Sequence, residues 1–352
     1  MPETVVDELP TNAAAEAAWD TFVAAQAHAS VYHRSCYRAI VAEGTGNAVQ
    51  LLRAMRDGQI VGGLPLVHLK SALFGSYFVS LPYFNHCGVL STDEAARDAL
   101  LEAAIERARW VNASHIELRH LGAIGVSIDP AIWPVKTAKV EMFLDLPGTA
   151  AELFAAFKPK LRAQIRRPRK AGLYARVGGI ELLNDFYTVF CRNMRDLGTP
   201  VQSLGFFQAF IAHQPGAAHV CVVYRAGAPV GAGIVVSDRR VLEIPWASTI
   251  REANADSPNM LLYWSLLEFA IETGHARFDF GRSTPGEGTF HFKTQWGAQP
   301  VPLHWYYWLA EGGALPEINP KNPKYELAIR LWQHLPVAVT RVLGPPLVRN
   351  LP

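Results

Sequence analysis

Residues 278–297 read FDFGRSTPGEGTFHFKTQWG. Phe278, Asp279 and Phe280 form a short apolar strand with one acid. Gly281 breaks it, and a polar turn leads to an aromatic segment that presents a single lysine, Lys293, ahead of Gly297. Gly281, Gly286 and Gly288 let the main chain approach a ligand with no Cβ in the way, while Arg282, Ser283 and Thr284 offer donors that suit an anion. Lys293, flanked by Phe290, Phe292 and Trp296, is expected to hold its ammonium against aromatic walls. A plain strand-to-helix loop with a snorkelling lysine accounts for the same residues.

Working outward, the segment upstream is helical. Ser257 as N-cap and Pro258 at the first helical position open an apolar run that closes at Gly274, and its lack of a polar face predicts a buried helix. Residues 218–225, 229–237 and 241–247 read as three strands, and 180–197 as a helix stopped by Gly198. The first half has the same order: helices over 12–28 and 34–43, strands over 48–56 and 59–69 joined at Asp57-Gly58, and a strand over 76–81. A helix capped by Ser91 with Glu94 and strands over 115–119 and 139–145 follow. Arg56-Asp57-Gly58-Gln59-Ile60-Val61-Gly62 matches Arg225-Ala226-Gly227-Ala228-Pro229-Val230-Gly231, and Leu81-Pro82-Tyr83 matches Ile244-Pro245-Trp246, which predicts an internal duplication. The expected division is 1–147, 148–312 and a helical tail, 313–352.

Between the halves, Lys158, Lys160, Arg162, Arg166, Arg167, Arg169, Lys170 and Arg176 occur with no acid among them. Phe154, Phe157, Leu161 and Ile165 keep a helical apolar stripe, so the charges project from the other side until Pro168 stops the helix. Such a face suits the diphosphate of a nucleotide- or lipid-linked precursor, an RNA acceptor stem or an anionic membrane.

The strings FDFG…GTFHFKTQWGA, PNMLLYW, KPKLRAQIRRPRKAGL, NMRDLGTPV and IPWAST together resemble the FemAB-type branch of the GNAT acyltransferase superfamily. Within it they are most similar to FemAB-like proteins associated with PEP-CTERM/exosortase and exopolysaccharide gene sets. The resemblance implies an α/β fold of two tandem GNAT-like domains with mixed, mostly antiparallel sheets flanked by helices, the second carrying the active site. It implies an N-acyltransferase or aminoacyltransferase acting on an amine of a cell-envelope or exopolysaccharide precursor. Lys160 and Arg162 occupy the family's K-x-R pattern for phosphate recognition, and Lys293 is the lysine of its FK motif, a stabiliser of the oxyanion or leaving group.

Amine acylation needs a neutral nucleophile and donors for the oxyanion, and no metal. Glu243, at a strand position where many GNAT enzymes keep a carboxylate, is the candidate base, with an ordinary salt bridge as the alternative. Asp279 is catalytic or holds the turn. Candidate substrate contacts are Arg166, Asn193, Arg195, Asp196, Trp246, Asn259, Tyr263, Arg282 and Ser283. The interval from Trp246 to Asn259 contains no glycine, against a conventional CoA pyrophosphate loop. That leaves aminoacyl-tRNA or another activated acyl group as donor, with acyl-CoA the competing reading, and no bound cofactor is expected.

The remaining features set bounds. With 50% hydrophobic and 18% charged residues in 352, the chain can bury large cores, and its formal charge is +2. Four scattered cysteines and histidines such as His86 and His291 have no ligand spacing, which predicts a reduced, cytoplasmic protein. MPETVVDELP lacks the pattern of a secretory leader, and no apolar run reaches the ~18 residues of a membrane span. The amphipathic tail, with Leu327, Leu331, Trp332 and Leu335 near one face, suits either its own protein surface or the inner face of a membrane.

Overall fold

A computed structural model describes residues 3–72, 74–123, 128–316 and 323–351. It divides into two compact units: Met1–Val140 with Val301–Ile318 and Arg349–Pro352, and Glu141–Pro300 with Asn319–Val348.

In the first unit, strands Val5–Glu8, Val49–Arg56, Gln59–Ser71 and Gly75–Val79 pair antiparallel in sequence order. Helix Glu94–Trp110 then crosses over so that His115–Leu121 lies parallel to Gly75–Val79. Its Ala96, Leu100, Ala104 and Ala108 recur every fourth residue and are buried in the core with Leu52, Leu64 and Ile116. The helix is capped by Asp93, not by the expected Ser91: the Asp93 carboxylate accepts from Ala96 N at 2.9 Å and pairs with Arg56 at 2.8 Å. Asp93→Ala is expected to cost about 1–2 kcal/mol, most of it from the cap, read as a lower urea midpoint at unchanged slope.

The second unit repeats this order. Leu173–Gly178, Ala218–Arg225, Ala228–Asp238 and Val241–Thr249 pair antiparallel, and helix Pro258–Glu272 carries the chain over to Arg277–Ser283, parallel to Val241–Thr249. The two hairpins agree residue by residue. Asp57 and Gly58 have φ of 49° and 75°, and Ala226 and Gly227 have 48° and 80°. Each strand shifts register one step beyond its turn, between Ala54 and Met55 and between Val223 and Tyr224. A shared bulge is independent of the sequence match that predicts the duplication.

The division differs from the expected one at both ends because a strand changes place. Gln299–Leu309 pairs antiparallel with His115–Leu121 from Leu303 on, so the chain returns to the first unit instead of completing the second. Val140–Asp145 takes the equivalent position beside Arg277–Ser283 in the second unit. The tail forms helices Pro323–His334 and Val337–Val348; residues 317–322 of the expected tail lie outside the described residues.

Two local expectations change. Pro168 does not stop its helix, which runs Pro159–Lys170: the proline forgoes the bond to the Gln164 carbonyl, yet the helix continues two residues beyond it and the chain turns at Gly172 with φ 79°. Ser257 precedes helix Pro258–Glu272 but lies at φ 55° and makes no side-chain cap.

Candidate functional site

The parallel pairing between Val241–Thr249 and Arg277–Ser283 covers Val241↔Arg277, Leu242↔Phe278 and Glu243↔Asp279, and ends there. Beyond that point Val241–Thr249 continues along Ala228–Asp238. Two carboxylates therefore stand where neighbouring strands part. Glu141, from Val140–Asp145, joins them, and each of the three places an oxygen within 4.8 Å of the others, all buried. Lys293, on the short helix Gly288–Thr294, donates from Nζ to the carbonyls of Gly281 and Arg282, both at 2.8 Å. Asp279 Oδ1 accepts from Gly281 N at 2.8 Å. Gly281, at φ 75°, is thus clamped from both sides in a conformation that disfavours a side chain.

Burial sets the electrostatics. It pushes the Glu141 carboxyl well above its usual range, and the charges of Asp279 and Glu243 push it further. Asp279 is raised by the same desolvation, partly offset by the Gly281 N–H and by Lys293. The Lys293 ammonium is pulled below its usual range by burial, against the attraction of Glu141 and Asp279. Four buried charges with a net excess of two negatives are costly, so the cluster retains a shared proton near neutral pH. The carboxylates suit a hard divalent cation as a donor set. Here Lys293 brings a positive charge to the same cluster.

The same unit has a cleft of about 880 Å³, which none of the four fork residues lines and to which Asp145 and Glu152 contribute carboxylates. Lys158, Lys160 and Gln164 of the basic segment form one wall, and Thr294, Gln295, Trp296 and Gly297, which follow Lys293, form another. Leu153 and Phe157 give it an apolar floor. The two stretches singled out in the sequence therefore border one cavity.

Residues 156–294 match the family described as acetyltransferase (GNAT) domain. The structure of FemX aligns over 92% of this chain and 100% of its own, with 14% identity and a TM-score of 0.64. A tandem GNAT protein from the clavulanic acid biosynthesis pathway aligns over 89% and 100%, with 14% identity and a TM-score of 0.58. The C-terminal domain of a putative lysylphosphatidylglycerol synthetase from Agrobacterium fabrum aligns over 79% and 89%, with 14% identity and a TM-score of 0.56. The chain has the tandem GNAT fold. No curated protein matches the sequence.

Within the second GNAT unit, the expected site residues separate into groups. Lys293, Glu243 and Asp279 come together, although the Lys293 ammonium meets carbonyls and carboxylates in place of the expected aromatic walls. Glu141 was missed. Its local signal is an acid between Val140 and Met142 in an apolar strand, as Asp279 lies between Phe278 and Phe280. Arg282 is exposed at the turn, and Ser283 is buried with no hydrogen-bond partner for its hydroxyl. Lys160 lines the cleft, Arg162 is half-buried, and Arg166 is exposed with its guanidinium 4.9 Å from the Phe154 ring. The basic stretch does meet an acid from elsewhere, Glu268, which pairs with Arg169 at 2.9 Å.

The other expected contacts have packing partners. Arg195 binds Asp196 at 2.7 Å and the Leu335 carbonyl at 3.2 Å, so this pair fastens the tail. Asn193 donates to Ser248 Oγ at 3.1 Å. Trp246 is enclosed by Phe206, Phe207 and Phe210, its ring 4.9 Å from Phe210. Tyr263 stacks on Phe280 at 5.4 Å, with its phenol raised by burial, and Asn259 is half-buried in the first turn of its helix.

The glycine-free interval Trp246–Asn259 runs from the end of strand Val241–Thr249 into helix Pro258–Glu272 through a 3-10 helix, Arg251–Asp256, tied down by Arg192–Glu252 at 2.6 Å and Arg225–Asp256 at 2.8 Å. Ala253 N and Ser257 N already donate to local carbonyls, which removes them as donors to an anion.

Proposed function

We propose that the protein is a FemAB-type N-acyl or N-aminoacyl transferase whose acceptor is an amine on a phosphate-bearing cell-envelope or exopolysaccharide precursor. The observation that carries this reading is the cleft bordered both by Lys158 and Lys160 and by the segment that follows Lys293. Phosphate oxygens would lie along the lysine wall and the reacting amine toward the fork. The amine nitrogen attacks the acyl carbonyl, the bond to the donor breaks, and the amine proton passes to a carboxylate at the fork while the leaving oxygen or sulfur is protonated. Groups with raised carboxyl and lowered amine affinities for protons suit that exchange near neutral pH. Lys293 then acts by holding the Gly281–Arg282 carbonyls and balancing the carboxylates.

The absence of glycine from Trp246 to Asn259, with the Ala253 and Ser257 amides already bonded, supports an aminoacyl-tRNA donor. The match to an acetyltransferase domain favours acetyl-CoA as a second reading. No described helix is long and apolar enough to cross a membrane, and action on a precursor at the inner face of the cytoplasmic membrane is part of the proposal. The exopolysaccharide and PEP-CTERM setting rests on the resemblance of the motifs.

Thermal shift with UDP-linked and polyprenyl-linked sugar precursors, acetyl-CoA and charged tRNA separates these readings, since a ligand of the folded state raises its melting temperature. Stabilisation by a phosphate-bearing precursor is expected, with affinity about 10–100-fold weaker in Lys160→Ala, the loss of one charge-assisted hydrogen bond. Equal affinity in the variant removes the lysine wall from the site. Binding without acyl transfer to any amine precursor makes the chain a binding protein.

A further inference from the structure

The cleft of the second unit carries unmatched charge of both signs. Lys158 and Lys160 border it, and Glu152 borders it from helix Ala150–Ala156. All three are exposed, and none has an ion-pair partner among the described residues. Their charged neighbours are engaged elsewhere: Asp145, also in the lining, pairs with Arg277 at 2.9 Å, Arg169 pairs with Glu268 at 2.9 Å, and Arg166 lies over the Phe154 ring.

Lysine and glutamate side chains are long enough to close a short gap between them. Here they stay apart, so a ligand with charges of both signs can span what the side chains do not. Most of the remaining lining is hydrocarbon, from Leu144, Leu146, Leu153, Phe157 and Leu161, beside which charges attract more strongly than in open water. The volume of about 880 Å³ suits a small molecule, with a span of ~10 Å. Both charges must therefore lie within one compact part of the ligand. A precursor whose amine sits at the end of a long chain, far from its phosphate, would leave one pole empty.

We propose that the cleft binds a compact phosphate ester that also carries an ammonium group, such as a phosphorylated amino sugar, with the phosphate on Lys158 and Lys160 and the ammonium on Glu152. Gln164 and Gln295 border the same cavity and offer amides to hydroxyl groups. This site rests on the transferase reading for its lysine wall, and Glu152 is the residue that adds selection for the amine. The ammonium must leave Glu152 and lose its proton before its nitrogen attacks, so Glu152→Gln is expected to raise KM more than it lowers kcat.

The test is calorimetric titration of the full chain with glucosamine 6-phosphate, glucose 6-phosphate and glucosamine. The second probe lacks the amine and the third lacks the phosphate. Glucosamine 6-phosphate is expected to bind about tenfold or more tighter than either, and salt should weaken it. Glu152→Gln should abolish the preference over glucose 6-phosphate and keep the one over glucosamine, and Lys158→Ala/Lys160→Ala should do the reverse. These side chains are exposed, so the variants should melt as the parent does. Three outcomes overturn the proposal: a parent that binds none of the probes, equal parental affinity for the two phosphates, or a Glu152→Gln variant that keeps the parental preference. The parental preference without acyl transfer to any amine would refute the transferase reading and leave the site standing. Transfer to an amine-bearing phosphate with parental KM in Glu152→Gln would do the opposite.

Discussion

Lys293→Ala is expected to destabilise the protein by about 3–5 kcal/mol and to abolish turnover. The side chain is 6% exposed and is the positive partner of Glu141, Asp279 and Glu243. Removing it leaves buried carboxylates without that charge and two carbonyls without a donor, which is the costly way to break a buried ion cluster. Loss of activity alone would therefore not distinguish a misfolded site from a missing function. The informative comparison is Lys293→Met combined with Glu141→Gln, which removes the cation together with one of the carboxyl groups it faces, at similar volume. Urea unfolding of this double variant should recover most of the lost stability. Persistent loss of turnover in the recovered protein, with Glu141→Gln alone still active, would assign Lys293 a part in the reaction beyond folding. Single Lys293→Ala at parental stability would refute the charge-balancing account.

The site was legible where chemistry breaks a pattern. A lone acid in FDF, a lysine among aromatics and a glycine-rich turn each depart from what packing alone would select, and the structure brings Asp279, Gly281 and Lys293 into one hydrogen-bonded group. The role expected for the Lys293 ammonium was wrong in its surroundings because flanking residues on a short helix point to different sides. Phe292 and Trp296 pack with Tyr263, while Lys293 turns toward the fork. Glu141 escaped because an acid in an apolar strand does not by itself say which strand it faces, and Arg277–Ser283, its neighbour, lies some 138 residues later by sequence number. Asn193, Arg195 and Asp196 looked like ligand contacts because polar residues at a helix end often are. Their partners, Ser248 and the Leu335 carbonyl, lie far along the chain.

Elements and their order follow from local rules, and Asp57-Gly58 and Ala226-Gly227 produce hairpins of the same register. The boundaries between units do not. Whether Gln299–Leu309 finishes one sheet or the other depends on which edge accepts it, and its pairing with His115–Leu121 is a long-range fact that no turn or cap encodes. The basic helix shows the same limit: Pro168 is a helix breaker by rule, yet the helix runs past it to Lys170, with Leu161, Ile165 and Pro168 itself buried.

Acid should destabilise the first unit selectively between about pH 6.5 and 5. His33, His86 and His120 are fully buried there, and burial depresses them to about 4, about 3 and about 3. Burial is the main cause for all three, and two rings accept at an unprotonated nitrogen: His33 Nδ1 from Ser30 N at 3.0 Å, and His120 Nε2 from Val89 N at 3.2 Å. A Cβ on Gly88 would lie 2.1 Å from the His120 ring, so the ring has little room to move. The folded affinities for protons lie below the unfolded value of about 6.5, so the unfolded chain takes up more protons in this window. The stabilisation is complete above that value and is lost as pH falls toward the folded values. At pH 5 the loss is about 2 kcal/mol per histidine and ~6 kcal/mol for three, comparable with the whole stability of many domains. In the second unit burial also lowers His219 and His275, but the raised carboxyls of Glu141 and Asp279 work in the opposite direction, since protonating them relieves a buried charge. Hydrogen exchange, corrected for intrinsic rates and followed by peptide mass, should therefore show protection falling at pH 5 around residues 30–33, 84–90 and 116–121 while the strands of the second unit hold. His86→Gln should reduce the fall by about a third. Uniform loss across both units, or none at pH 5, would mean that these histidines do not govern the acid limb.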